Sequence, residues 1–170
     1  MFDPGPLAEV TYDQELDGRW TLRFTRDLRH PPERVWRALT DPSLLDQWAP
    51  FTASRDLGTP GGATLVMIDG DTREPLDATV RVAEPPALLV YEWGPDLLRW
   101  ELAPIDGGTR LTLRHTTEGR DMLGMVTAGW HLCVRVLDLL LAGTPHGVIR
   151  GGEAKRFGFD ELCAAYESQI

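Results

Sequence analysis

In the run RLTLRHTT, residues 110–117, Leu111, Leu113 and His115 recur at spacing two, so the imidazole belongs to the apolar face of a strand. Trp100 sits on the preceding predicted strand between Leu98 and Leu102 and shares that inward row. An inward imidazole beside an indole has two uses: it can hold the polar end of a ligand, or it can move a proton near neutral pH. It can equally be a core histidine satisfied by a backbone carbonyl or a buried water. The pattern leaves both readings open. His131, next to Trp130, falls on the rim of a helix face, where it either meets His115 across a cavity or faces solvent or a partner. His30 and His146 lie in predicted loops without a visible role.

Five tryptophans, Trp36, Trp48, Trp93, Trp100 and Trp130, fall on predicted inner faces. Such rows are usually core. If a cavity exists some of them must line it, and the candidate ligand-binding residues are Trp48, Trp100, His115, Trp130 and Val134, the last one turn beyond Trp130. No metal site is expected, because no histidine pair has one-turn helical spacing and Cys133 and Cys163 are too few. Gly61-Gly62 and Gly107-Gly108 precede strands rather than helices, so neither forms a phosphate-cradling loop, and no nucleophile elbow occurs. No cofactor is expected. Glu92 and Glu101 fall on outward rows, where a solvated role is expected. A lone inward histidine without a second titratable group favours binding over catalysis.

These residues need elements to hold them. Residues 122–142 carry Leu123, Val126, Trp130, Val134, Leu137 and Leu141 on one helical face, with a second apolar row of Met125, Leu132, Val136, Leu139 and Leu140. Thr127, His131, Arg135 and Asp138 form the only polar seam, so this helix must be covered on more than one side. Residues 19–28 alternate as a half-buried strand. Pro31-Pro32 opens one short helix and Asp41-Pro42 caps another. From residue 61 to 117 strands and turns follow closely with no helix between them, which is an antiparallel meander. The predicted architecture is α+β: a curved antiparallel sheet of about six or seven strands gripping one long C-terminal helix, with two short helices after the first strand. One domain over residues 1–170 is expected, with a loose arm at 1–17 and an additional helix at 153–168 that covers the second apolar row, unless a homodimer partner does so.

The net charge of −9 argues against sequence-independent nucleic-acid binding and against docking on anionic lipid. Arg135 and Asp138 interrupt the longest apolar stretch, no basic start precedes an apolar run, and both cysteines read as small buried thiols. A cytoplasmic setting is expected.

The phrases RFTRDLRHPPERVWRALTDPSLLDQW, PGG before a strand, EPPALLVYEW, WELAPIDGGTRLTLRHT and AGWHLCVRVLDLLLAG, in that order, resemble the SRPBCC superfamily. This is the helix-grip fold of START lipid-transfer domains and birch-pollen-allergen-like proteins. Within it the chain most resembles small homologues of the activator of the heat-shock chaperone ATPase, over residues 20–142. The resemblance implies a deep, mainly apolar cavity between sheet and long helix, and a connection to stress response, but no single reaction. Eukaryotic chaperone activators carry a further large N-terminal domain. Only about nineteen residues precede the first predicted strand here, so chaperone activation is not expected. Three functions follow as expectations. The first is a binding module for a small hydrophobic or aromatic molecule. The second is a cyclase- or hydratase-type enzyme using His115 as acid or base, and the third a chaperone- or self-interaction module.

Overall fold

The computed structural model describes all 170 residues. A six-stranded antiparallel sheet has the order β1 (Glu9–Gln14), β2 (Trp20–Leu28), β9 (Gly108–Thr117), β8 (Asp96–Ile105), β7 (Leu88–Trp93), β6 (Val80–Glu84). Between β2 and this meander come α1 (Pro32–Thr40), α2 (Pro42–Leu45) and a second sheet of three strands, β3 (Phe51–Ala53), β4 (Thr64–Asp69) and β5 (Thr72–Asp77). The long helix α3 (Leu123–Leu141) and a shorter α4 (Phe159–Glu167) complete the chain. The predicted helix-grip arrangement is the one observed.

Register explains why the inner face is apolar. Leu22, His115 and Leu98 are direct neighbours across β2, β9 and β8, and Phe24, Leu113, Trp100 and Leu89 form the next row across to β7. All are at most 1% exposed. Against them α3 lays Leu123, Trp130, Val134, Leu137 and Leu141, and α1 lays Val35, Trp36 and Leu39, in one continuous core. Pro32 at the start of α1 lacks only an N–H that the helix cannot use, and Glu33 in that first turn complements the positive helix end. Asp41 Oδ1 accepts from the Ser43 backbone N–H at 2.9 Å and so caps α2. With its leading turn, α3 has the length and hydropathy of a membrane span (Arg120–Leu141), yet most of that stretch is buried inside the fold.

Three expectations on secondary structure are corrected. Residues 9–14, expected within a loose arm, form edge strand β1, paired with β2 from Glu9 opposite Thr25 to Gln14 opposite Trp20. Val10 and Tyr12 pack on the core while their neighbours stay exposed or half-exposed, an alternation too short to stand out. Residues 72–77, not expected as a strand, form β5, whose pairing with β4 supplies what its exposed, proline-containing sequence does not. The expected helix at 153–168 is two pieces. Residues Gly151–Phe157 form a 3₁₀ segment, and Gly158, at φ +89°, breaks it in the left-handed region before α4 begins.

Candidate functional site

His115 is 1% exposed, and both its ring nitrogens are engaged. The indole Nε1–H of Trp130 on α3 donates to His115 Nδ1 at 2.9 Å. An indole is only a donor, so Nδ1 presents a lone pair and the ring hydrogen sits on Nε2. Nε2 in turn donates to Asp96 Oδ2 at 2.7 Å. Donation therefore runs one way, from Trp130 through His115 to Asp96, and ties helix to sheet. The expectation of an inward histidine without a second titratable group is thereby corrected, because Asp96 is that group. The two-residue turn sets Trp93 opposite Asp96 and brings that carboxylate to the end of the strand beside His115. A tight turn flanked by alternating strands is the signal that could have placed it.

Four of the five predicted ligand-binding residues form a chain of aromatic contacts. Trp48 meets Trp100 edge-on with centroids 6.0 Å apart, and Trp100 meets Trp130 edge-on at 5.3 Å. Trp130 then reaches His115 through the hydrogen bond already described. Val134 is fully buried on α3 one turn beyond Trp130. The polar ends of Trp48 and Trp100 are turned to protein: Trp48 Nε1 donates to Ala38 O at 2.8 Å and Trp100 Nε1 to Tyr91 Oη at 3.1 Å. Burial pushes the Tyr91 phenol upward, so it stays neutral.

The helix and sheet part beside the first half of α3, in an almost wholly apolar cleft of about 130 Å³ lined by Pro50, Trp93, Val126, Gly129, Trp130 and Cys133. Of the predicted residues only Trp130 lines it. Trp48, Trp100, His115 and Val134 lie behind that wall in the packed core. Trp93, placed on an inner face but not among the candidates, lines the cleft in contact with Trp130, at 5.6 Å from it and 5.5 Å from His115, centroid to centroid. Its Nε1 is buried without a hydrogen-bond partner. A bonded buried donor is the rule, and an orphan costs roughly 1–3 kcal/mol. Cys133, on the same lining, is pushed up to about 12 by burial and stays a thiol. A larger hollow of about 450 Å³ beneath residues 1–3 is a broad, shallow depression with a mixed polar lining, so most of its volume is solvent.

His131 does not meet His115. It is 1% exposed on the opposite side of α3, under α4 and the N-terminal segment. Nε2 donates to Pro4 O at 2.8 Å, leaving Nδ1 to accept from the Tyr166 hydroxyl at 2.7 Å, while that oxygen accepts the Ala8 N–H at 2.9 Å. Burial lowers the His131 pKa, the Pro4 bond opposes this, and the cations of Arg26 and Arg135 add to the lowering. His30 is buried as well, with Nε2 2.8 Å from Asp138 Oδ1. Both residues tie segments together. Glu92 and Glu101 lie on the outer face, paired with Arg81 and Arg114.

Residues 29–142 match the profile of a family described as "Activator of Hsp90 ATPase homolog 1-like protein". No curated protein sequence matches the chain. Among solved structures, a protein from Rhodobacter sphaeroides is 26% identical, covering 79% of this chain and 99% of its own, at a TM-score of 0.66. A Mesorhizobium loti protein is 27% identical over 73% of this chain and 98% of its own, at 0.63. CalU16 from Micromonospora echinospora, 20% identical, shares the fold over 95% of this chain and 96% of its own, at 0.68.

Proposed function

Because the chain belongs to the activator of Hsp90 ATPase homolog 1-like family, we propose that it acts as a soluble, cytoplasmic helix-grip domain that takes a small apolar or aromatic molecule between its sheet and long helix. The carrying observation is the cleft walled by Trp93 and Trp130, with an apolar lining and one unspent indole N–H. Its volume is close to that of an engineered cavity of about 150 Å³ that binds benzene, and well below the roughly 300–1,000 Å³ of drug-sized sites. The ligand class is therefore a single ring or a short aliphatic chain. An acceptor such as a phenol or ketone oxygen would satisfy Trp93 once the ring turned to meet it. Asp96 and His115 act as positioning residues, because they pin the Trp130 indole that forms one wall.

The acid–base alternative gains no support from this arrangement. Neither ring nitrogen of His115 is free to exchange a proton with a ligand, and the imidazole lies behind Trp130 rather than on the cleft surface.

Gly129 supplies the test. A Cβ built there meets nothing within 4 Å, so a side chain at this position grows into open cleft. Gly129→Leu should raise stability by somewhat less than the roughly 0.8–1 kcal/mol that separates glycine from alanine in a helix, while filling the site. Titration with an environment-sensitive apolar dye should give saturable binding of one dye per wild-type chain, abolished by Gly129→Leu. Unsaturable binding, or binding the substitution leaves intact, would refute the reading.

A further inference from the structure

The outer face of the large sheet carries an arrangement that the cleft does not use. Arg23 on β2 is the direct neighbour of Arg114 on β9, which is the direct neighbour of Arg99 on β8. Leu22 and Phe24 point inward, so these three guanidiniums stand side by side on the open face. Strands lie about 4.8 Å apart, so the row is about 10 Å long. Like charges directly opposite one another destabilise a sheet, and one carboxylate alone answers the three. Glu101 Oε1 accepts from Arg114 Nε at 2.8 Å, and its other oxygen lies 3.6 Å from Arg99. Arg23 is exposed and makes neither a hydrogen bond nor an ion pair through its side chain. The remaining arginines of this face differ, since Arg110 has Asp27 and Arg81 has Glu92. Half-buried or exposed threonines, Thr11, Thr25 and Thr116, flank the row with hydroxyls.

We propose that this row is a docking surface for an acidic, extended segment of a partner protein, whose carboxylates lie across β2, β9 and β8. Glu101 shows how a carboxylate is held here, straddling two guanidiniums, and Arg23 is the position still open to one. Side-chain carboxylates match this surface better than a nucleic acid does. A phosphate backbone needs a broad basic tract to displace its counterions, whereas this face offers one short row of three arginines. Exposed pairs are individually weak, so the contact is of low affinity and salt-sensitive.

The test is fluorescence anisotropy at low ionic strength, with a labelled peptide of alternating glutamate and serine and the full chain. The wild type should bind saturably. Arg23→Glu with Arg99→Glu should weaken binding at least tenfold, and Glu101→Gln, which frees two guanidiniums, should strengthen it several-fold. The control Lys155→Glu with Arg156→Glu, off the sheet, should leave it unchanged, and circular dichroism should show every variant folded. Absence of wild-type binding, an equal loss in the control, no gain from Glu101→Gln, or tighter binding of a single-stranded oligonucleotide than of the peptide would each overturn the proposal. None of these outcomes touches the apolar cleft, which lies on the opposite side of the sheet.

Discussion

Asp96, His115 and Trp130 are joined by two hydrogen bonds with a single direction of donation, and this directionality makes removal at either end informative. Asp96→Ala leaves a buried imidazole N–H without an acceptor, at an expected loss of about 1–3 kcal/mol. Asp96→Asn keeps an oxygen for that N–H and should lose clearly less. Urea unfolding of both variants reads the difference, and equal losses would show that the bond is not what stabilises. The His131 imidazole contributes to the response to pH. His131 has a folded-state pKa below its ordinary value, chiefly because it is buried. Its contribution is therefore complete above the unfolded value of about 6.5 and is lost as pH falls below that value through the folded one. Thermal unfolding should show stability declining between pH 7 and pH 5, and His131→Gln should flatten the part due to this residue. Of these networks the sequence showed only the inward direction of His115. Asp96 depends on a turn register, and the partners of His131 lie 35 and 127 positions away in the chain, a distance that no periodicity spans.

Elements with a strong period were legible: β2, β8, β9 and α3 each repeat apolar residues at two or 3.6 over enough positions to stand out, and β7 shows as an apolar run bounded by Pro85-Pro86 and Gly94-Pro95. β1 and β5 were not, because each is short and largely exposed and is held by its neighbour's ladder. The break before α4 was also hidden, since nothing in the local pattern distinguishes Gly158 in the left-handed region from a tolerated helical glycine. Glycine carries opposite meanings in β9 and α3. At Gly108 an added Cβ would lie 1.9 Å from the Leu28 backbone oxygen, where β9 meets the end of β2. Gly108→Ala must push these strands apart, and an expected cost of about 1–3 kcal/mol follows from overpacking. At Gly129 the same methyl enters open space and should stabilise α3. Denaturation midpoints that move in opposite directions would bear out the contrast, and a neutral Gly108→Ala would refute the tight approach.

For the whole molecule the decisive question is what covers the far side of α3. The expected second apolar row is only partly exposed: Leu132 is 1% exposed and packs with Ala128, Leu162 and Tyr166, so α4 supplies much of the cover that a homodimer partner would otherwise provide. Met125 of that row and the neighbouring Met122 remain exposed. Burying Leu132, Leu162 and Tyr166 contributes roughly 1.5–3 kcal/mol each, comparable in sum with the stability of a typical domain. Loss of α4 should therefore bare a sticky surface as well as weaken the fold. Sedimentation should find the full chain monomeric across concentrations. Leu162→Asp, which unseats α4 without removing any residue of the cleft, should associate in a concentration-dependent way while still binding dye, because the cleft lining and the cluster of Ala128, Leu132, Leu162 and Tyr166 share no residue. A dimeric wild type dissolved by Leu132→Glu would instead mean that α4 leaves this face in solution, and that two copies, rather than one chain folding back on itself, complete the core.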